Sequence, residues 1–477
     1  MGVRNVLLIT VDSLRYDRTL ELDGAADRAP TLNRLADEFV SFDQAVANGP
    51  NTPSSFPTIL TSTHPLMYGG YRYLDEQRPF VSATFQDAGY RTVGYHSNPH
   101  LGPEKNYNHG FDIFNDGGES NDDARTLKNL VDEHLNPDGF LYRLLRRGYH
   151  LFQMTADTSA YARAPEITEQ ATDWFDEQWD GDQPFFMWLH YMDVHYPFTP
   201  PDEYMEKQGL DTLSTRRKAN LNGMMQETPE DLTDEDVADL LALYDGEIRL
   251  VDETIQRLLD DLESRDILEE TAVFVTADHG EAFGEHDRFG HHPYLYDELL
   301  RVPLIVRAPG LADERVDDQV SLLDLGPTMF DLVDLETPAA MQGTSRHDLL
   351  TGERDGNEGI TGDTAVETRS DEADKESVVE TADVALCTGL GGQTLACRTE
   401  HWKCFWRVED GIVELYDPSE DPGELQDVSD QHEDVVARFR ERMDTYLEEA
   451  DTTDVTLPDI EESDEVKQRL EDLGYVD

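Results

Sequence analysis

The feature that most constrains this chain is a set of short apolar runs that stop abruptly at polar, chemistry-bearing residues. Residues 272–275, inside TAVFVTADHGEAFGEHDRFGHHPYLYDELLRVP (271–303), have the length and β-branched content of a buried strand and lead straight into Asp278-His279-Gly280. A first strand at 6–11 ends the same way in Asp12-Ser13, and a third, within PFFMWLHYMDVH (184–195), ends among His190, Asp193 and His195. A turn that happens to carry such residues is the competing reading for any one of them. Three such endings form a pattern, because in open parallel sheets ligands sit in the crevice beyond the carboxyl ends of the strands. Between the strands lie helical stretches at 30–39, 165–179, 240–262 and 323–333, the third with apolar Leu243, Ile248, Val251, Ile255, Leu258 and Leu259 on one face. The alternation predicts an α/β fold, a doubly wound and mostly parallel sheet with helices on both faces. Later short strands (ADVALCTG, QTLACRTEHWKCFWRVED, GIVELYDP) and a helix at 432–450 predict a small C-terminal antiparallel α+β subdomain. The expected division is a catalytic α/β domain at 1–345, an acidic flexible loop at 346–382, the subdomain at 383–450 and an acidic tail at 451–477.

Composition narrows the setting. The chain has 477 residues and a formal charge of −64, from 102 acidic against 38 basic residues, yet its apolar content is ordinary and its periodic segments are clear. That combination separates it from disordered acidic chains. Self-repulsion on this scale is tolerable where salt screens it, since near 1 M the Debye length is about 3 Å. A halophilic setting, a folded protein in a salt-rich cytoplasm, is therefore expected, and the sign of the charge argues against nucleic acid as a partner of the general surface. No apolar stretch is long enough for a transmembrane segment, and the opening run meets Asp12 too soon for a signal peptide. Cys387, Cys397 and Cys404 lack paired spacing and read as small buried hydrophobes. One basic amphipathic stretch, FLYRLLRRGYHLF (140–152), carries Arg143, Arg146 and Arg147; it reads first as an ion-pairing helix, with an acidic substrate, a partner or a membrane surface as alternatives.

Residues 47–62, ANGPNTPSSFPTILTS, break at Gly49-Pro50 and then read as a short helix with Thr52 near its N-terminus. A hydroxyl there lies at the positive end of the helix dipole, where an anion is held; an ordinary N-cap is the competing reading. The strand at 90–97 delivers Asn98. His195 arrives where the other strands deliver aspartates and is a candidate for contacting substrate or passing a proton. Asp12, Thr52, Asp278 and His279 together make a hard, oxygen-rich set with one nitrogen. It suits one divalent ion, Mn²⁺, Ca²⁺ or Mg²⁺, better than a structural zinc. A threonine oxygen on such an ion becomes a usable nucleophile.

In order along the chain, NVLLITVDSLR, TPSSFPTILTS, HGFDIFND, FFMWLHYMDVHYPF, YDGEIRLVDETIQRLLDDLE, VFVTADHGEAFGEHDRFGHHPYLYDELLRVPLIVRAPG, RTEHWK and ELYDPSEDPGE resemble the sulfatase branch of the alkaline phosphatase superfamily, as far as about residue 430. The resemblance implies an alkaline phosphatase-like fold and a metal-dependent ester hydrolase. It implies that Asp12, Asp278 and His279 bind the metal and that Thr52 takes the nucleophile position. His195 would contact the transferred group or the leaving oxygen, and His291 lies near where sulfatases place a substrate-binding lysine. Asn98 joins these two histidines as a substrate-binding candidate.

The departures are specific. Sulfatases carry at the nucleophile position a cysteine or serine that is oxidised to formylglycine, in a C/S-x-P-S/A-R motif. Counting back from Thr61-Ser62 places that position at Thr52, with Ser55 on the motif's serine and Phe56 in place of its arginine. A register matching Pro53-Ser54 instead puts Asn51 there, which cannot be a nucleophile. Ser13 replaces a second aspartate common in sulfatases. Threonine is not a formylglycine precursor, whereas phosphohydrolases and phosphoglycerol transferases of the superfamily use threonine directly. The expected activity is hydrolysis of sulfate or phosphate esters, phosphodiesters included, of a small-molecule, glycan or lipid substrate, with Thr52 attacking directly. The alternatives are a phosphoryl or head-group transferase in surface glycan or lipid assembly, and a non-catalytic binding protein on a degenerate sulfatase fold. Retention of Asp12, Asp278, His279 and a hydroxyl at residue 52 argues against the latter.

Overall fold

A computed structural model describes residues 2–21, 24–117, 161–291, 294–311, 314–352, 384–451 and 467. The basic stretch at 140–152, most of the acidic loop at 346–382 and nearly all of the tail at 451–477 lie outside the described residues. The principal sheet contains β1 (Asn5–Val11), β2 (Val40–Val46), β3 (Arg91–Tyr95), β4 (Ile113–Asn115), β5 (Phe185–Tyr191) and β6 (Thr271–Ala277). A two-stranded ribbon, β7 (Ala282–Phe283) with β8 (Phe289–Gly290), precedes its last strands, β9 (Arg301–Arg307) and β10 (Arg315–Ser321). The order across the sheet is β10-β2-β9-β6-β1-β5-β3-β4. Every pairing is parallel except those of β9, which runs antiparallel to β2 and to β6.

The expected apolar runs are the central strands, and every residue of β1, β5 and β6 is buried. β2 and β10 are additional to the strands expected from the sequence. The reason is visible in β10, an edge strand whose RVDDQVS alternation is interrupted by exposed Asp317 and Asp318. The helices form two layers. In one, α1 (Pro30–Glu38), α3 (Ala164–Glu177) and the long α4 (Asp234–Ser264) pack together; in the other, α2 (Thr52–Thr61) packs on α5 (Leu325–Leu332). Helix α4 begins earlier than its apolar stripe because Thr233 and Asp236 form a reciprocal capping box, and the stripe from Leu243 to Leu259 is buried as its period requires. No helix among the described residues is long and apolar enough to cross a membrane.

Beyond residue 383 an antiparallel sheet, β11 (Ala385–Thr388), β12 (Thr394–Arg398), β13 (Lys403–Arg407) and β14 (Val413–Tyr416), carries helix α6 (Glu433–Asp451) on one face. The period of two sorts its side chains. Leu395, Cys397, Cys404 and Trp406 pack with Val435, Phe439 and Met443 of α6, while Cys387, Ala396 and Phe405 pack with Val46, Leu295 and Leu300 of the larger body. The three cysteines are free and buried, and burial raises each thiol above its usual pKa.

An ion-pair knot sits under this junction. The Asp297 carboxylate takes Arg398 Nη2 at 2.9 Å and Lys403 Nζ at 2.6 Å, and Lys403 also meets Glu424 at 2.8 Å. Burial works against the charged form of Asp297, but the two cations outweigh it and hold its pKa well below the carboxylate range. Replacing Asp297 by Ala leaves buried Arg398 without its carboxylate and Lys403 with Glu424 alone, and should cost about 3–5 kcal/mol in chemical denaturation. Glu38→Ala, which breaks the exposed pair with Arg34, should change stability by no more than about 1 kcal/mol.

Candidate active site

The three central strands are in register at their carboxyl ends: Val11 pairs with Tyr191 of β5 and with Ala277 of β6. Asp12 and Asp278 therefore leave neighbouring strands at the same level, and both are fully buried. Ser13 holds the two together from a left-handed backbone conformation (φ 58°). Its N–H donates to Asp278 Oδ1 at 3.3 Å and its hydroxyl to Asp12 Oδ1 at 2.9 Å, so the residue replacing a second aspartate acts as a hydrogen-bonding clip. Gly280 closes the turn; a Cβ there would lie 2.0 Å from the Glu298 carbonyl oxygen, and its N–H donates to Leu299 O at 2.8 Å.

Asn51 caps helix α2, its side-chain oxygen accepting from Ser54 N at 3.1 Å. Thr52 is thus the first helical residue rather than the cap. Its hydroxyl turns inward, 3.3 Å from Asp12 Oδ2 and 3.5 Å from His279 Nε2. Asn98 Nδ2 donates to Asp12 Oδ2 at 3.0 Å and reaches Thr52 Oγ1 at 3.4 Å. Ser55 ties the helix to the neighbouring strand end through the Asp278 carbonyl at 2.6 Å. Phe56, in place of the arginine, sets its ring edge-on against His190 with centroids 5.0 Å apart.

The donors around this point fit a divalent cation. Ligand atoms of Asp12, His190 and Asp278 all lie within 4.8 Å of one another. His279 Nε2 stands 3.6 Å from Asp12 Oδ1 and 3.6 Å from Asp278 Oδ2, while its Nδ1–H donates to Gly280 O at 2.8 Å, fixing the ring with Nε2 toward the carboxylates. Burial, reinforced by His291, lowers the His279 pKa to about 3, so the ring is neutral as a ligand must be. Burial opposes charge on Asp12, but His195, His190 and His279 outweigh it and hold its pKa well below the carboxylate range. For Asp278 burial and the Asp12 charge act together and push the pKa well above the ordinary value, and its buried Oδ2 has no hydrogen-bond donor among the described residues. A cation between them is the physical remedy for such a pair.

Two further expected residues line the same space. His195 is buried and donates from Nδ1 to the Tyr196 carbonyl; its ring centroid lies 4.8 Å from that of His291, which in turn lies 4.8 Å from that of His279. Burial alone would favour a neutral His291, but the buried Glu281 carboxylate, with both oxygens 3.3 Å from Nδ1, raises its pKa. A histidine whose carboxylate neighbour favours the protonated form thus stands near the place expected for a lysine. Asp193, which the sequence groups with His190 and His195, does not join them. It is drawn to Arg163 and to Ala164 N at 2.5 Å.

Three other residues at the site carry no signal in the sequence that assigns them a role. His190 was noted only as part of a strand-end cluster; its Nδ1 sits 3.0 Å from Thr10 Oγ1, which turns Nε2 to 3.4 Å from Asp12 Oδ2. Glu281 follows the Asp-His-Gly turn directly, a position that could have drawn attention. His100 comes in beside Asn98, whose side-chain oxygen accepts from His100 N at 2.8 Å, and its ring is close enough for Asp12, His195 and His291 to act on its ionisation.

The sheet, its strand-end carboxylates and the inward hydroxyl form an alkaline phosphatase-like fold with an acidic and histidine cluster that could hold a metal ion. The sulfatase family profile matches residues 4–335, more than half of the chain, and the protein belongs to that family of sulfuric and phosphoric ester hydrolases. A curated relative, the uncharacterized sulfatase YidJ of Escherichia coli, is 26% identical over 360 residues, covering 71% of this chain and 69% of its own. Among solved structures, the phosphonate monoester hydrolase from Silicibacter pomeroyi aligns with a TM-score of 0.64 at 24% identity, covering 94% of this chain and 96% of that one. BT4656, solved with its substrate D-glucosamine-2-N,6-O-disulfate, aligns with a TM-score of 0.66 at 18% identity, covering 95% and 99%.

Adding Mn²⁺, Ca²⁺ or Mg²⁺ at about 100 times its Kd should stabilise the protein by about 2.7 kcal/mol. Thermal denaturation should show this gain in the parent and none in Asp278→Ala, in which equilibrium dialysis should find the metal lost.

Proposed function

We propose that this protein is a metal-dependent hydrolase in which Thr52 attacks the ester directly, with phosphate or phosphonate esters preferred over sulfate esters. The observation that carries this reading is the position of Thr52 Oγ1. It is at the N-terminus of α2, inside the ring formed by Asp12, His279 and Asn98 at 3.3, 3.5 and 3.4 Å. Backbone N–H groups at that helix end favour an anionic ester beside the hydroxyl. A formylglycine hydrate releases sulfate by collapsing to the aldehyde, a route closed to threonine, so a threonine ester has to be hydrolysed in a second step. The likeness to a phosphonate monoester hydrolase supports phosphorus as the central atom.

In the first step Thr52 Oγ forms a bond to the central atom as the alcohol oxygen leaves in line, and the Thr52 proton passes to the Asp12–Asp278 carboxylate pair, of which Asp278 is the more basic member. His291, whose pKa Glu281 raises, gives the departing oxygen its proton, with His195 beside it. Water then cleaves the threonine ester, releasing the inorganic or phosphonate anion and restoring the hydroxyl. A divalent ion held by Asp12, Thr52, Asp278 and His279, with His190 beside them, would neutralise the ester oxygens during both steps. Asn98 and His291 hold the anion. The net charge of −64 supports placing the enzyme in a salt-rich cell interior.

The test compares an aryl sulfate, an aryl phosphate, a phosphate diester and a phosphonate monoester in high salt with divalent metal. The phosphorus esters should turn over faster, and preference for the sulfate would overturn that assignment. Thr52→Ala should lower kcat by about 10³-fold or more, with Thr52→Ser keeping part of the activity. Undiminished turnover in Thr52→Ala would exclude this residue as the nucleophile.

A further inference from the structure

A lysine is built into the wall behind Asn98. Two short 3-10 turns, Pro99–Leu101 and Pro103–Lys105, fold the chain back so that side chains five residues apart meet. Lys105 Nζ comes to 3.5 Å from His100 Nδ1. The lysine is 7% exposed, and its place is set by pairing with a distant loop: Leu74 N donates to Lys105 O at 3.1 Å, and Asn106 Nδ2 donates to Leu74 O at 2.7 Å. On the other side, Asn98 holds His100 N at 2.8 Å while donating to Asp12. Lys105, His100, Asn98 and Asp12 therefore form a continuous chain of contacts leading into the site.

We infer that Lys105 is a positioning residue: it fixes His100 in the tautomer that presents an Nε2–H donor to the anionic group of the substrate. An ammonium group has three donors and no acceptor, so the only hydrogen bond it can make with an imidazole is to an unprotonated nitrogen. With Nδ1 accepting from Lys105, the single proton of a neutral ring lies on Nε2. Without the lysine the ring is free to carry its proton on Nδ1 and to present a lone pair where an oxyanion has to bind. The assignment rests on the proposal that the substrate is an anionic ester, but not on Thr52 being the nucleophile.

The full-length metal-loaded protein provides two tests. In histidine-selective ¹⁵N spectra, with the resonances assigned by their loss in His100→Ala, His100 should be protonated on Nε2 alone; a proton on Nδ1 overturns the proposal without any change at Lys105. In kinetics, Lys105→Met should lower kcat/KM about tenfold or more, the worth of a hydrogen bond to a charged group, and Lys105→Arg should recover most of it. The Lys105→Met loss should vanish in the His100→Ala background; a loss of equal size there, or one within about twofold of the parent in Lys105→Met alone, rejects coupling through His100. Inorganic phosphate binding to Thr52→Ala separates the two readings. Weaker binding on adding Lys105→Met supports the lysine's role even if Thr52 proves not to be the nucleophile, and unchanged binding argues against it.

Discussion

Everything at the site depends on one constraint, the in-register pairing of three parallel strands. Because Val11 is level with both Tyr191 and Ala277, residues far apart in sequence emerge together at one edge of the sheet, and two carboxylates are forced into the same dry space. A slip of one residue in any strand would turn its side chains to the other face. Complete burial of the central strands opposes such a slip, so the core that stabilises the sheet also keeps Asp12 and Asp278 together.

That juxtaposition is electrostatically costly, and the neighbouring groups answer it. Histidines crowd Asp12, Ser13 clips both carboxylates from a strained backbone, and one Asp278 oxygen finds no donor among the described residues, in a cluster that could hold a cation. The substitutions that set this chain apart from the usual sulfatase pattern form a consistent set. In the register that ends at Thr61-Ser62, Thr52 keeps an oxygen where the modified cysteine is expected, Phe56 packs on His190 instead of offering a guanidinium, and His291, its pKa raised by Glu281, stands near the expected lysine. The one site histidine among the described residues whose pKa is raised is thus His291, through Glu281, in a chain where acidic residues outnumber basic ones by 102 to 38.

Much of the fold was readable because its signals are local. Apolar runs ending in Asp12 and Asp278 announced the central strands, and the stripe along α4 announced the helix over them. β10 was unreadable because an edge strand need not alternate cleanly, and its acidic residues look like loop. Within the site, Asp12, Thr52, Asp278 and His279 could be named from strand ends and a helix start. His190, Glu281 and His100 could not be given roles, since a histidine or glutamate in an apolar or turn segment looks the same whether it faces the core or a neighbouring strand.

The choice between Asn51 and Thr52 shows the division most clearly. By itself the sequence determined that a short helix begins here and that either residue could lie at its start, because both suit a helix N-terminus. Only the tertiary structure decided which of them is the cap. Asn51 spends its side chain on Ser54 N, which leaves Thr52 as the first residue inside the helix with its hydroxyl turned to Asp12. The sequence likewise determined which residues carry chemistry, since side-chain type is local. Which of them meet was settled by register and packing, since those act between segments more than two hundred residues apart.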